Sequence, residues 1–267
     1  MPLVGCGSIG ESPDITASRL SAVLGLDGGW AHTLTTWDDA RRHLINVLEA
    51  HRVMVAVNGV VGNNTRRTLS GAEFRGFAMA DDYAPLVLVN GADAKGAQWF
   101  TIAHELAHLA FSESAVFDLR NLLPADDPTE QACNDVAAEF LVPSELLRAY
   151  WLKICHSEDW VGLIARQFKV SRILPIRRAL DLQLIGRSRF FALYDDLWRQ
   201  EWSAPKPKGG DFTAMQRYRV SALFGRLVGS AAAEGSITYT EAFGLIALRG
   251  RTFDRFVASI HDAGERP

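Results

Sequence analysis

The chain has 267 residues, of which 48% are hydrophobic and 22% are charged, and its formal net charge is −3. This composition is typical of a soluble globular protein with a full hydrophobic core. The small negative charge gives no global reason to expect nucleic-acid binding. The three cysteines are scattered and odd in number, which argues against a disulfide framework and favours a reducing compartment. Because no stretch approaches the ~20 apolar residues of a membrane span, we expect a cytoplasmic protein with no membrane partner.

Two helices are predicted near the N-terminus. Residues 1–35 form a partly helical N-terminal segment, in which residues 15–26 are the helix and Gly28 and Gly29 follow its end. Thr36 is a good N-cap residue for a second helix over residues 37–51. Apolar residues recur along one face of the second helix, so we expect this face to pack against the core.

The next part of the chain is predicted to form a small sheet. Residues 53–57, 76–79 and 86–89 are short runs rich in β-branched and apolar residues, and turn residues separate them. Connections of hairpin length favour antiparallel pairing. The expected fold class is therefore α+β, with a small antiparallel or mixed sheet packed on helices. An extended peptide can add to an exposed edge of such a sheet.

A helix that lacks Gly and Pro is predicted over residues 100–109, and it contains a His-Glu-x-x-His motif. His104 and His108 are four residues apart, so they are neighbours on one helix face, with Cβ atoms roughly 5–6 Å apart. Both imidazoles can therefore bind one zinc ion, at about 2.0–2.1 Å. Glu105 lies one residue further round the helix, where it can take a proton from a water held by the ion. The alternative interpretation is a pair of hydrogen-bonded core histidines.

A second helix can supply the third ligand. Asp127 is predicted as its N-cap and Pro128 as its first residue, and residues 142–143 end it. Glu130 lies on the stripe of this helix that faces the core, where a carboxylate needs a cation or a hydrogen-bond donor. Glu130 is therefore either a metal ligand or the second half of a capping box with Asp127.

Three other residues of this helix have predicted environments. Asn134 is one turn from Glu130, so it can orient a ligand or the backbone. Cys133 is interpreted as a small buried hydrophobic residue rather than a ligand. Glu139 lies off the apolar stripe and is expected to face solvent.

Residues 159–202 are predicted to be helical, and their two short helices, 161–168 and 176–184, have the outline of a helix-turn-helix unit. This region is the most basic in the chain. It can contact a DNA backbone, or it can be a solvated helical face beside the core, and we favour the second interpretation. Residues 203–210 are the clearest linker, and residues 211–267 form a C-terminal helical region with helices over 212–233, 240–248 and 252–260.

Several sequence blocks closely resemble the ImmA/IrrE family of metallo-endopeptidases, in their order and spacing as well as their residues: 74–77, 85–90, 100–108, 130–134 and 138–143. The resemblance implies a zincin-like catalytic core, which we place at residues 36–158. It also implies that His104, His108 and Glu130 bind zinc and that Glu105 is the catalytic base.

The same resemblance implies a protein substrate. Relatives of this kind cleave a cytoplasmic helix-turn-helix repressor of Xre type, or an antitoxin, and the cut relieves transcriptional repression. The competing hypothesis is a zinc-stabilised regulator that binds DNA or a partner protein and cleaves nothing. Retention of Glu105 argues against that alternative, because a structural zinc ion has no need of a general base.

Overall fold

The computed structural model describes residues 3–71, 73–113, 115–117, 127–202 and 212–264. Its helices are α1 (Pro13–Leu24), α2 (Trp37–Ala50), α3 (Lys95–Ala110), α4 (Pro128–Leu141), α5 (Ser144–Ile154), α6 (Trp160–Phe168), α7 (Ile173–Asp181), α8 (Arg187–Trp202), α9 (Phe212–Val220), α10 (Ala222–Ala233), α11 (Tyr239–Ile246) and α12 (Arg251–Gly264). Its strands are β1 (Met54–Asn58), β2 (Val60–Val61), β3 (Asn64–Thr68), β4 (Gly76–Met79), β5 (Leu86–Asn90) and β6 (Ala115–Phe117). The predicted α+β fold class is confirmed. Within the described ranges, no helix has both the length and the apolar character needed to cross a bilayer.

The two N-terminal helices form for the reasons that the sequence indicates. Thr36 and Asp39 make a reciprocal capping box at the start of α2, because each side chain bonds the backbone N–H of the other. Helix α1 begins at Pro13, two residues earlier than predicted, because proline is well tolerated at the first helical position. Gly25 ends α1 in the left-handed region, with φ of 64°.

The main sheet is mixed and has the strand order β1-β5-β4-β6. Strand β1 runs parallel to β5, whereas β4 runs antiparallel to both β5 and β6. The prediction of antiparallel pairing is therefore wrong for β1 and β5. The reason is that the β2–β3 hairpin and β4 lie between them in the chain, so β5 re-enters the sheet in the direction of β1.

Helix α3 lies at the centre of the hydrophobic core. It packs against β4 and β5 on one side and against α4 on the other, and α1 packs on the far face of α4. Every residue of α3 from Gln98 to Ala110 is buried. Consequently the two motif histidines and the glutamate between them are enclosed by protein on all sides.

The helix-turn-helix outline is present as α6 and α7, joined at Lys169, which ends α6 in the left-handed region with φ of 55°. Helix α7 begins three residues before the predicted start, because Pro175 is accommodated in the first turn. Most residues of both helices are buried, and many belong to the same core as α3. The two helices are therefore part of the same hydrophobic core as α3.

The C-terminal helices have a small core of their own around Phe253, Phe256 and Ile260. The single helix predicted over residues 212–233 is wrong, because Ser221 interrupts it with φ of 68° and caps α10. The Ser221 hydroxyl donates a hydrogen bond of 2.6 Å to the buried carboxylate of Glu49 on α2. This bond and the packing of α9 against β1 attach the C-terminal helices to the sheet domain. The predicted linker, residues 203–210, lies outside the described residues.

Glu139 is buried, and the prediction that it faces solvent is wrong. Its carboxylate forms an ion pair with Arg178 of α7 and accepts hydrogen bonds from the N–H (2.8 Å) and hydroxyl (3.0 Å) of Ser144. Arg178 also donates a 3.0 Å hydrogen bond to the Val142 carbonyl. The helix period could not reveal this, because the groups that cover Glu139 come from α5 and α7.

Replacing Arg178 with Met should destabilise the fold by about 3–5 kcal/mol, because it leaves the Glu139 carboxylate buried without its cation. The neighbouring Arg177 provides a matched control, since it pairs with Asp181 at 3.0 Å on a partly exposed surface. Arg177→Met should cost about 0.5 kcal/mol or less. Urea unfolding of the two variants measures the difference, and equal losses of free energy would contradict the account of Glu139.

Candidate metal centre

Helix α3 supplies the first two groups of the site. His104 and His108 are fully buried, and their Nε2 atoms lie 3.1 Å apart. The close approach follows from the four-residue spacing, which places both rings on one face of the helix.

Glu130 comes from the first turn of α4 and faces the histidine pair. Its Oε2 atom lies 3.2 Å from His104 Nε2, and its Oε1 atom lies 3.3 Å from His108 Nε2. Asp127 caps α4 by accepting a hydrogen bond from the N–H of Thr129, 2.8 Å away. Both carboxylate oxygens of Glu130 are therefore directed at the imidazoles, as its interpretation as a ligand requires, and not at the helix cap.

Asn134 fixes the orientation of one imidazole. His104 Nδ1 donates a hydrogen bond of 3.0 Å to Asn134 Oδ1. A neutral imidazole has a single N–H, so Nε2 of His104 carries an unshared electron pair. That electron pair faces the carboxylate of Glu130, and two such groups repel each other unless a cation lies between them. The alternative interpretation, a pair of hydrogen-bonded core histidines, explains the contact between the two rings. It does not explain why the Glu130 carboxylate lies beside them.

The protonation states suit a metal ion. Burial lowers the pKa of His104 to about 4, so this imidazole is neutral near pH 7. Burial opposes ionisation of Glu130, but its contacts with the imidazoles of His104 and His108 outweigh burial and lower its pKa to about 2. Neutral imidazoles and a carboxylate are the forms that bind zinc. The residues present therefore fit a divalent cation held by His104, His108 and Glu130, and this ligand assignment stays a prediction.

Glu105 is the unpaired acid of the site. It is fully buried, and neither carboxylate oxygen has a hydrogen-bond partner among the residues that the structure describes. Burial, and then repulsion from Glu130, raise the pKa of Glu105 well above its usual range. A cation between the ligands would oppose both effects and favour the ionised form. An unpaired buried acid beside such a cluster is typical of a catalytic group rather than a structural one.

Gly76 of β4 makes room for Glu105, and sequence analysis did not single it out. A Cβ atom at this position would lie 2.8 Å from Glu105 Oε1, 2.6 Å from Thr101 Cγ2 and 2.9 Å from the Leu88 carbonyl oxygen. Only glycine allows the strand to pass so close to the carboxyl group.

Cys133 is a second candidate ligand that the sequence analysis treated as a hydrophobic residue. The ligand atoms of His104, His108 and Cys133 all lie within 4.8 Å of one another. Burial, first of all, raises the pKa of the Cys133 thiol, so the thiol stays protonated in the absence of a metal. Glu130 is ionised, and its carboxylate oxygens lie 3.2 and 3.3 Å from the imidazole nitrogens, so we expect Glu130 rather than Cys133 to be the third ligand. Cys133 is one turn from Glu130 on the same helix, and this spacing was the sequence signal that could have identified it as a candidate ligand.

The comparison with protein families agrees with this site. Residues 65–179 match the Peptidase_M78 family, described as the IrrE N-terminal-like domain, a family of metallopeptidases. This segment, which runs from β3 to α7, is similar to that family, and the predicted resemblance to the ImmA/IrrE family is confirmed. No curated protein matches the chain.

Loss of a residue that only hydrogen-bonds a metal ligand weakens metal binding roughly 10–100-fold. Glu130→Gln should weaken zinc binding by more than this, because the amide cannot supply the negative charge of a ligand. Cys133→Ala should change the affinity less than about threefold if the thiol is not a ligand. Competition titration of the purified proteins with a chromophoric zinc chelator measures both affinities. A larger loss in Cys133→Ala than in Glu130→Gln would reverse the assignment of the third ligand.

Proposed function

We propose that the protein is a zinc-dependent endopeptidase with a zincin-like core. The observation that carries the proposal is the convergence of His104, His108 and Glu130 from two packed helices, with the unpaired acid Glu105 beside them. A structural zinc site is closed by four protein ligands, whereas three ligands and a free acid suit catalysis. The match of residues 65–179 to a metallopeptidase family supports the same conclusion.

His104, His108 and Glu130 would hold the zinc ion, and Asn134 would keep the His104 ring in the ligating tautomer. Zinc bound by these three residues would act as a Lewis acid that polarises a peptide carbonyl and acidifies a water molecule.

Glu105 moves the protons of the reaction. In its ionised form it accepts a proton from the attacking water, and it then donates that proton to the nitrogen of the departing amine. Its carboxyl group is suited to this shuttle because no described residue holds it in a competing hydrogen bond. The enclosed position of α3 keeps bulk water away from the carboxyl group between the two transfers.

We further propose that the substrate is a cytoplasmic helix-turn-helix repressor of Xre type, or an antitoxin, whose cleavage relieves transcriptional repression. Resemblance to the ImmA/IrrE family supports this choice. Cys6, Cys133 and Cys155 are all free thiols, which agrees with a reducing compartment where such a substrate is found.

The pairing of the basic residues argues against the alternative of a DNA-binding regulator. Arg166 and Arg172 both pair with Asp159, at 3.0 and 3.1 Å, and Arg177 pairs with Asp181. Arg178 is buried against Glu139. These pairs neutralise much of the positive charge that phosphate binding requires, so we do not favour DNA as a partner.

Glu105→Gln tests the proposed base. We expect the variant to bind zinc with unchanged stoichiometry and to unfold at a temperature close to that of the wild type. Cleavage of the repressor encoded beside its gene should fall by about 10²–10⁴-fold, because the amide cannot accept the proton. Mass spectrometry of the digest and metal analysis measure both properties. Glu113→Gln, which changes an exposed carboxylate just beyond α3, is the matched control and should cleave normally.

Two results would count against the proposal. Undiminished cleavage by Glu105→Gln would remove this residue from the mechanism. No cleavage of the repressor by the zinc-loaded wild type, together with salt-sensitive DNA binding that persists after zinc removal, would favour the regulator instead.

A further inference from the structure

Strand β4 has a neighbour on each of its two edges. One edge pairs with β5, in the register Gly76↔Val89 to Met79↔Leu86. The other edge pairs with β6, in the register Gly76↔Phe117, Phe77↔Val116 and Ala78↔Ala115. Strand β6 follows α3 in the chain, so the protein folds back a segment of its own onto this edge of the sheet.

The strand that β6 covers is also the strand beside the proposed catalytic base. Gly76 lies at the first position of β4, where a Cβ atom would lie 2.8 Å from Glu105 Oε1, on the face of the sheet that packs against α3. Opposite Gly76 on the next strand is Phe117. An extended peptide that added to this edge of β4 would therefore take the backbone positions that β6 occupies.

The far edge of the same sheet offers no equivalent place. Strand β1 forms that edge, and α9 packs against it. Among the strands that the structure describes in this sheet, the edge of β4 is therefore the one where strand addition would place a substrate beside the metal ligands. Strand addition uses main-chain hydrogen bonds, which two strands cannot make at one edge simultaneously.

We propose that β6 is an internal occupant of the substrate edge of β4, and that an extended segment of protein substrate binds by displacing residues Ala115–Phe117. This inference rests on the proposed peptidase function and adds a regulatory contact to it. Among the residues that the structure describes, this pairing comprises Gly76↔Phe117, Phe77↔Val116 and Ala78↔Ala115. A longer substrate strand can make more main-chain hydrogen bonds at the same edge and so compete with it.

The first variant links β6 to β4 through a disulfide, which can be formed and reduced reversibly. Phe77 and Val116 are register partners, and partners on antiparallel strands have Cα atoms about 4.5–5.5 Å apart, within the range of a disulfide. The double variant Phe77→Cys/Val116→Cys should therefore form a disulfide when oxidised. Peptide mapping checks that the new cysteines, rather than Cys6, Cys133 or Cys155, are linked.

The release variant is Ala115→Pro. Asn90 donates its N–H to the Arg75 carbonyl, so Phe77 directs its backbone groups at β5, and Ala78 directs its backbone groups at Ala115 of β6. Proline at residue 115 cannot donate to the strand ladder. Its control is Ala115→Ser, which keeps the backbone N–H. Circular dichroism and thermal unfolding check that both variants fold. Should Ala115→Pro fail to fold, the oxidised and reduced forms of the double variant decide the question.

The probe is a fluorescent peptide with the sequence of residues 113–119, and its binding is read by fluorescence anisotropy. We expect Ala115→Pro to bind it at least tenfold more tightly than Ala115→Ser. We also expect the oxidised double variant to bind it at least tenfold more weakly than the reduced form. Equal affinity of the oxidised and reduced forms would mean that the peptide adds elsewhere, such as on the outer edge of β6, and would overturn the proposal. No gain in Ala115→Pro over Ala115→Ser would overturn it as well.

This experiment is independent of the proposed catalysis, because peptide binding at the edge requires neither zinc nor Glu105. If the peptide does not bind at the edge of β4 but the protein cleaves its substrate normally, β6 does not occupy the substrate edge and the peptidase function stands. Normal strand displacement without any cleavage would support the role of β6 and count against the peptidase function.

Discussion

The arrangement of the molecule depends on one electrostatic constraint, the approach of a carboxylate to two buried imidazoles inside a hydrophobic core. His104 and His108 are fully buried on α3, and Glu130 reaches them from α4. Such a group of polar atoms is costly to remove from water unless a cation satisfies it. The sheet and α4 pack against α3, so the site is desolvated, and electrostatic interactions within it are stronger than in water.

The two ends of α4 are held by different interactions, and both matter for the position of Glu130. At the first turn, the Asp127 cap sets where the helix begins, and Asn134 one turn later engages His104. At the last turn, Glu139 pairs with Arg178 from α7. Helix α7 therefore supports the helix that carries Glu130, which explains how a helix-turn-helix outline can be an integral part of this hydrophobic core. The family match, which ends within α7 at residue 179, covers this bracing helix too.

Local signals in the sequence predicted the fold class, the N-cap at Thr36, the start of α4 and the residues that meet at the site. They succeeded because helix spacing and capping are short-range properties. The exposed side chains of β3 carry no apolar alternation, so the β2–β3 hairpin could not be found in this way. The burial of Glu139, the break at Ser221 and the pairing of β6 with β4 depend on partners distant in the chain, which periodicity does not reveal. Cys133 had the right spacing, but the sequence could not rank it against Glu130.

The most direct test of the central claim is X-ray absorption spectroscopy at the zinc edge on the metal-loaded protein. The account predicts one tightly bound zinc ion per chain, with nitrogen and oxygen neighbours at about 2.0–2.2 Å, including two imidazoles. Glu130→Gln should alter this coordination shell. A sulfur neighbour at about 2.3 Å would place Cys133 on the metal, and the absence of stoichiometric zinc or of imidazole ligands would contradict the account altogether.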